Sequence, residues 1–431
     1  MPNYKKRKHN KLFTSQGKPK KNSVKKAEKF DNIEMSSSRN KRVENKSNNI
    51  KVIKGRKLEQ KRRFKVLSIT LALVLVIYIL LQSLLPAGIF ETVTNKLSLI
   101  GTGSYPITLE STNTINVVPR DSYYYVLTNS FVCAYSNSGK QLFTYPHGFE
   151  NPVIETSSSR AVVFNQGGNQ VLIFNHSGHK GTINTEQKII TVGISDSGIY
   201  AVATYSEKYA SAVTVYNKRN ETLYEWYSAE ETVNNVALSP NGKKLAVSGF
   251  TSNVGEYKST LNVLNYKSAT PEHTEKFDGS LIYNIDTTHR AGFTVITPNK
   301  LKIFKWSNFK SQEHTSDYKI SFFKPSSNGA VAVFNRENDK TDNKILVLNK
   351  NGKLKFQVQY KGIISDINLF GNHIYCMNET EISVLNSDGH IVKKAPCGFG
   401  ADDFTVISTN VSAVITDNKI EKVKLGEVSN K

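Results

Sequence analysis

The chain has few cysteines for its 431 residues, and Cys133, Cys376 and Cys397 form no CxxC pair. Three cysteines cannot all pair within one chain, so a disulfide framework and a zinc site built from cysteines are both excluded. Cys133 and Cys376 lie in apolar, strand-like stretches. That setting predicts buried free thiols, because free cysteine is among the most buried residue types; a Cys376–Cys397 bridge is the alternative.

Sequence motifs of catalysis are also missing. The chain contains no GxSxG, HExxH, P-loop or GxGxxG pattern. His176 and His179 are expected in a surface turn. Residues 335–342 lack the central Gly and closing Glu of a calcium loop and are expected to form a long polar loop between strands. Asp402–Asp403 is expected in a turn. We therefore predict no catalytic, cofactor-binding or metal-binding residue, and a protein that is not an enzyme.

Positive charge is concentrated near the start of the chain. Residues 1–65 hold 23 Lys and Arg against 5 Asp and Glu, which gives +18 of the formal net charge of +21. Few large apolar side chains occur there, so we predict that residues 1–63 are a disordered basic tail. The rest of the chain is close to neutral, and no nucleic-acid partner is expected.

An uncharged apolar run of 20 residues follows, from Val66 to Leu85. At about 1.5 Å per residue it would reach roughly 30 Å, the thickness of a bilayer's hydrocarbon core. A buried core helix and a cleaved signal peptide are the alternatives, but both are usually shorter. Basic residues precede the run and are scarce after it, which predicts a cytoplasmic tail and an extracytoplasmic domain of a single-pass membrane protein. The cluster expected to lie on anionic lipid headgroups is Arg56, Lys57, Lys61, Arg62, Arg63 and Lys65.

A repeated unit fills the remainder of the chain. An alternating apolar strand followed by an Asn, Ser or Gly turn recurs at seven places, for example Val171–Gly178, Leu261–Ser268 and Ile382–Gly389. A second hairpin with small apolar residues precedes each copy, as in residues 191–203. A spacing of about 42 residues suits the four-stranded blade of a β-propeller. The sequence therefore predicts an all-β, eight-bladed β-propeller over residues 105–425, with seven blades as the alternative.

The first and last strands of this repeat predict how the ring closes. Ile107–Glu110 forms a strand that no other blade needs, and the last blade lacks an outer strand after Leu425. Joining them would remove the open edge of the sheet. The full predicted organisation is a tail at 1–63, a transmembrane helix at 64–86, a linker at 87–104, the propeller at 105–425 and a C-terminal tail at 426–431.

The repeats resemble the WD-repeat-like and quinoprotein-like propellers of bacterial envelope proteins, most closely in Ser239–Val247. The plan of basic tail, one helix and propeller resembles an uncharacterised family of Gram-positive bacterial membrane proteins, domain of unknown function 5711. Quinoproteins of this fold carry repeated tryptophans and adjacent cysteines. This chain has only Trp226 and Trp306 and no adjacent cysteines, so a quinone cofactor is not expected.

Two aromatic clusters are candidates for a ligand face, against the alternative that they pack between blades: Tyr123, Tyr124, Tyr125, Tyr224, Trp226 and Tyr227. A propeller that lacks catalytic motifs is expected to act as an interaction module. We expect a membrane-anchored scaffold or assembly factor of the cell envelope, with a protein or cell-wall partner. The alternatives are an extracytoplasmic ligand sensor and, less favoured, an enzyme on wall glycan or peptide.

Overall fold

The structure is a computed structural model that describes residues 61–74, 76, 99, 101–110, 113–158, 160–253, 256–287, 292–326, 328–398, 400–416 and 418–428. Residues 61–74 and 76 are helical, and within the described ranges no helix is long and apolar enough to cross a bilayer. The predicted tail up to residue 60, residues 75 and 77–85 of the predicted span and most of the predicted linker lie outside those ranges. The chain divides into two units, Met1–Ala87 and Gly88–Lys431.

The second unit is a β-propeller of eight antiparallel sheets, so the prediction of eight blades is confirmed. A blade consists of four strands in chain order, joined by tight turns. The first strands of most successive blades contact one another around the central axis. The strands of blades 1 to 4, each from the axis outward, are β2 (Thr114–Pro119), β3 (Tyr123–Thr128), β4 (Phe131–Ser136) and β5 (Gln141–Pro146); β6 (Pro152–Thr156), β7 (Ala161–Asn165), β8 (Gln170–Asn175) and β9 (Gly178–Asn184); β10 (Ile189–Ile194), β11 (Tyr200–Thr204), β12 (Ser211–Tyr216) and β13 (Thr222–Ser228); β14 (Thr232–Leu238), β15 (Lys244–Asn253), β16 (Glu256–Asn265) and β17 (His273–Asp278).

Blades 5 to 8 follow the same plan, with two additions at the chain ends. Their strands are β18 (Asn284–Asp286), β19 (Gly292–Thr297), β20 (Lys300–Lys305) and β21 (Ser311–Thr315); β22 (Lys319–Ser326), β23 (Gly329–Arg336), β24 (Asp339–Asn349) and β25 (Leu354–Lys361); β26 (Asp366–Phe370), β27 (His373–Met377), β28 (Glu381–Leu385), β29 (Ile391–Pro396) and β33 (Gly426–Glu427); β30 (Ala401–Ser408), β31 (Val411–Thr416), β32 (Lys419–Lys424) and β1 (Ile107–Thr108).

The ring closes as the sequence predicts. Strand β1 pairs antiparallel with β32, with Ile107 opposite Ile420 and Thr108 opposite Lys419, and so supplies the outer strand of blade 8. Leu109 follows β1 and is buried with Ile415 and Ile420 in one apolar cluster. The first and last blades are therefore joined through side-chain packing as well as backbone hydrogen bonds.

The other end of the chain differs from the expectation of a free tail after residue 425. Gly426–Glu427 form β33, a fifth strand at the outer edge of blade 7, where Lys394 pairs with Gly426. The Val428 N–H donates to the Val392 carbonyl at 3.1 Å. The pairing covers part of an outer edge that would otherwise expose backbone donors and acceptors.

The core lies between the blades, in apolar clusters to which adjacent sheets contribute. Strand β3 is an example, because Tyr123 and Tyr125 pack toward blade 2, whereas Tyr124 packs toward blade 8. Because both faces of a blade are covered by its neighbours, the second and third strands are buried along most of their length.

Candidate functional site

The aromatic cluster Tyr123–Tyr125 lies inside the propeller and not on a ligand face. The exposed fractions of the three side chains are 7%, 1% and 0%. Burial raises the pKa of all three phenols above the usual value, since it disfavours the charged form. The packing interpretation therefore holds for this cluster, and the ligand-face interpretation is wrong.

The second aromatic cluster is divided between the core and the surface. Tyr224 and Trp226, on the outer strand β13, are half-buried against blade 4, and the Tyr224 hydroxyl donates to the Ser268 carbonyl at 2.9 Å. Tyr227, at the end of the same strand, is exposed, and its ring centroid lies 4.9 Å from that of Tyr209. Only Tyr227 of the six predicted aromatics is placed to meet a partner.

The propeller has two faces that differ in which turns they carry. One face carries the turns between the first and second strands and between the third and fourth strands of each blade. The chain enters β1 on this side, where the Ser138 hydroxyl donates to the Gly101 carbonyl at 3.3 Å. The opposite face carries the turns between the second and third strands and the connections between blades.

Exposed tyrosines are concentrated on the opposite face, which we call the tyrosine face. Within the described part of the propeller, the large aromatic side chains that are most exposed all lie there: Tyr205, Tyr209, Tyr227, Tyr257 and Tyr283, with exposed fractions of 45% to 52%. They belong to blades 3 and 4 and to the connection into blade 5, and so form one arc along the rim. An aromatic arc of this kind is typical of protein-interaction surfaces, because tyrosine is enriched at interfaces.

The connections of the two faces also differ in charge. On the tyrosine face the described connections carry two basic and nine acidic side chains: Lys188 and Lys208, with Glu110, Glu150, Glu186, Glu207, Glu230, Glu231, Asp317, Glu337 and Glu379. On the other side, which we call the basic face, they carry ten basic and five acidic side chains: Arg120, Lys140, Arg160, Lys218, Arg219, Lys243, Lys267, Lys310, Lys350 and Lys353, with Asp121, Asp196, Glu221, Glu272 and Asp388.

A buried charge network lies on the first strands of blades 6, 7 and 8. Lys324 Nζ is 2.5 Å from Asp366 Oδ1 and 3.7 Å from Asp403 Oδ1. Asp403 Oδ2 accepts the N–H of Val117 in blade 1 at 3.0 Å, and Asp403 Oδ1 accepts the N–H of Phe404 at 2.7 Å. Four successive blades, 6, 7, 8 and 1, are thus linked near the axis by one set of polar contacts.

Burial and neighbouring charges shift the pKa values of Asp403 and Lys324 in this network. Burial raises the pKa of Asp403 well above its usual value, and the neighbouring Asp366 carboxyl raises it further, while Lys324 opposes both. Burial alone would lower the pKa of Lys324, but the two carboxyls raise it. Two carboxyls that share a site disfavour the ionisation of Asp403, and the nearby Lys324 ammonium offsets part of this repulsion.

A second set of charges faces the axis from the other side of the ring. The Glu155 carboxyl of blade 2 is crowded by protein yet open to water, as expected for a side chain in a propeller channel. Desolvation raises its pKa to about 7, aided by Asp286 of blade 5 and opposed by Arg120 of blade 1. Contact with water reduces the size of this shift without changing its direction. The Arg120 guanidinium also donates to Thr156 Oγ1.

Several sequence expectations about polar clusters need correction. Residues 335–342 are not a loop, because β23 and β24 extend through them and turn at 337–338. Asp402–Asp403 is not a turn: both lie in β30, where a β-bulge between Ala401 and Asp403 leaves Asp402 out of register and exposed while Asp403 joins the network.

The two histidines differ in burial, whereas the three cysteines are alike. His176 is buried beside Tyr123, whereas His179 is exposed, stacks on Tyr145 with ring centroids 4.8 Å apart and hydrogen-bonds Thr182. The three cysteines are buried and unbridged, as the free-thiol interpretation predicts. Among the residues that the structure describes, no group of three or more His, Cys, Asp or Glu could hold a metal ion.

The predicted membrane-surface cluster is only partly described. Lys61, Arg62, Arg63 and Lys65 lie on the helical segment with exposed side chains, while Arg56 and Lys57 lie outside the described residues. Sequence reasoning missed Lys324 and Asp366 entirely. A lone Lys and a lone Asp on two different strands give no local signal, and only the ring brings them together.

The fold and its surface define an eight-bladed β-propeller with one tyrosine-rich, acidic face. Residues 102–425 match the family of unknown function DUF5711, and the chain belongs to this family. No curated protein matches the chain.

The chain is similar in fold to several solved structures at low identity. BamB from Moraxella catarrhalis shares 14% identity at a TM-score of 0.46, with 75% of this chain and 99% of that one covered. The C-terminal WD40 domain of Sif2 shares 10% identity at a TM-score of 0.48, with 75% and 100% covered. Hydrazine synthase from Kuenenia stuttgartiensis shares 12% identity at a TM-score of 0.42, with 76% and 99% covered.

Proposed function

We propose that this protein is a membrane-anchored, extracytoplasmic scaffold of the cell envelope that binds a protein partner through its tyrosine face. The observation that carries the proposal is the arc of exposed tyrosines on blades 3 to 5, with Tyr209 and Tyr227 in ring contact. Side chains of this kind supply much of the energy of protein interfaces, because they bury a large area at a low cost in conformational entropy.

Anchoring rests on the uncharged run Val66–Leu85 and on the basic residues that precede it. The helix would span the bilayer with the tail in the cytoplasm, and the basic cluster at 56–65 would contact anionic lipids. The three native cysteines are buried, so single introduced cysteines report topology cleanly. On intact cells, a membrane-impermeant maleimide should label Lys350→Cys on the propeller and spare Ser15→Cys in the tail. Labelling of the tail in intact cells would refute this orientation.

Partner binding is tested by site-specific photo-cross-linking in cells. A photoreactive phenylalanine derivative at Tyr227 or Tyr209 should give protein adducts. Leu223 is a matched control, because it is exposed at the opposite end of the same strand, β13. Adducts from position 223 with none from 209 or 227 would show that the tyrosine face is not the binding surface.

A further inference from the structure

We propose that the partner of the tyrosine face is a basic protein segment, rich in Arg and Lys, which docks on blade 3. This inference rests on the proposed function, since it specifies the chemistry of the partner at the same face. Its focus is the blade 3 patch, defined as the loops 185–188 and 205–210 together with residues 225–231 at the end of β13.

The three loops of the blade 3 patch form one surface. The Tyr205 N–H donates to the Lys188 carbonyl at 3.0 Å, and the Ala210 N–H donates to the Ser228 carbonyl at 3.0 Å. The Ser211 hydroxyl donates to the Glu231 carbonyl at 2.9 Å. These hydrogen bonds, two between backbone groups and one from the Ser211 side chain, hold the three loops against one another.

Acidic and aromatic side chains occur together in this patch. Its loops carry two lysines and four glutamates: Glu186, Glu207, Glu230 and Glu231. A fifth glutamate, Glu225, accepts the Tyr227 hydroxyl at 3.0 Å. A guanidinium or ammonium group can pair with a carboxylate and also lie over an aromatic ring, and arginine does both best because it is planar. The patch offers both kinds of contact side by side.

Charge across the rest of the propeller favours the same partner. The connections of the tyrosine face are predominantly acidic, and those of the basic face are predominantly basic. A basic segment would be attracted toward the first and repelled from the second, so the field of the whole domain would orient its approach. An acidic partner or an anionic polymer would favour the opposite side.

The test uses the full chain in a non-ionic detergent, with fluorescent deca-arginine, decalysine and deca-glutamate as probes. Anisotropy should show binding of deca-arginine, weaker binding of decalysine and none of deca-glutamate, with affinity falling as salt rises. Changing Glu207, Glu230 and Glu231 together to Gln should weaken deca-arginine binding roughly tenfold, since three weak ion pairs at the surface would be lost. Tyr209→Ala with Tyr227→Ala should weaken it several-fold by removing the rings.

A matched control removes the same charge from the other face. Asp121→Asn, Glu221→Gln and Asp388→Asn together should leave the affinity unchanged, and thermal melting should show that every variant is folded. No deca-arginine binding at low salt, or an equal loss in both triple variants, would overturn the inference while leaving a cross-linked partner at position 227 intact.

Other occupants give distinct results, each of which would overturn the inference. A soluble wall glycan that binds the glutamate variants normally but not the tyrosine variants would assign the face to a saccharide. Self-association that the glutamate variants abolish would assign it to a second copy, in which a basic face meets a tyrosine face. An intramolecular cross-link from position 227 to residues 1–60 would assign it to this chain's own tail.

Discussion

Asp403 in blade 8 accepts the backbone N–H of Val117 in blade 1 at 3.0 Å, although 286 residues separate them. This contact lies on the first strands, near the axis, at the seam where the two ends of the ring meet. The pairing of Ile107 with Ile420 closes the same seam at the outer strand of blade 8. The closure is therefore held at both its inner and its outer edge.

We expect Asp403→Ala to destabilise the propeller by about 1–3 kcal/mol, the cost of leaving a buried backbone donor without its acceptor. Asp403→Asn should cost less, because its amide oxygen can still accept from Val117. Thermal or urea unfolding of the purified protein measures both. Asp121→Asn, an exposed carboxylate on the basic face, is the control and should be neutral. If Asp403→Ala melts like the parent, the inner contact does not contribute to closure.

Glu155 should make stability depend on pH. Desolvation raises its pKa from 4.5 toward about 7 in the folded protein, and contact with water makes the shift smaller than that value implies. As pH rises through this window the unfolded chain loses the proton first, so folding stability falls. Below about 4.5 the carboxyl is neutral in both states and the effect disappears.

Glu155→Gln cannot ionise, so its melting temperature should exceed that of the parent at pH 8, with a difference that shrinks toward zero at pH 4. The titration of Asp403 is common to both proteins and cancels in the comparison. Glu150→Gln, an exposed carboxylate on the tyrosine face, serves as the control. A pH-independent difference between parent and Glu155→Gln would contradict the assigned cause.

Local sequence repeats predicted the fold well. Each blade is built from neighbouring hairpins, so the period of turns and apolar strands indicates the blade number and even the closing strand. The aromatic cluster Tyr123–Tyr125 was ambiguous, because alternation along a strand normally exposes every second residue. In this ring both sides of β3 are covered by neighbouring blades, so all three rings are buried.

The buried charge network could not be predicted from the sequence, because it depends on contacts between strands that are far apart in the chain. Lys324, Asp366 and Asp403 meet only because equivalent strands of three blades surround one axis. A bulge in β30 then decides that Asp403, and not its neighbour Asp402, faces the network. Once the strand order is known, however, the unequal charge of the two faces follows from the sequence, because successive turns alternate between the faces.

The propeller should fold without the preceding segments. A fragment beginning at Gly101 keeps the contact of its carbonyl with Ser138 and the close approach of Gly103 to the Gly139–Lys140 backbone. We expect it to be soluble, β-rich by circular dichroism and to unfold in one transition, since its core lies between its own blades. A fragment that precipitates unless residues 61–100 are present would show that those residues complete the fold.

Ring closure gives the most direct test of the architecture. Deleting residues 105–110 removes β1 and the buried side chain of Leu109, and leaves β32 with an unpaired edge. The terminal blades then lose part of their common interface, so the whole domain should melt earlier, still in one cooperative transition. Leu109→Ala tests packing alone and should cost about 2–5 kcal/mol, the usual range for a buried leucine.

Removal of residues 426–431 is the matched truncation at the other end. It eliminates β33, which adds only two residues to an edge that is already paired on its inner side, so the loss should be small and confined to blade 7. Comparison of the two deletions separates closure from simple shortening of the chain. If both deletions lower the melting temperature equally, or if the 105–110 deletion melts like the parent, the pairing of Ile107 with Ile420 does not hold the ring closed.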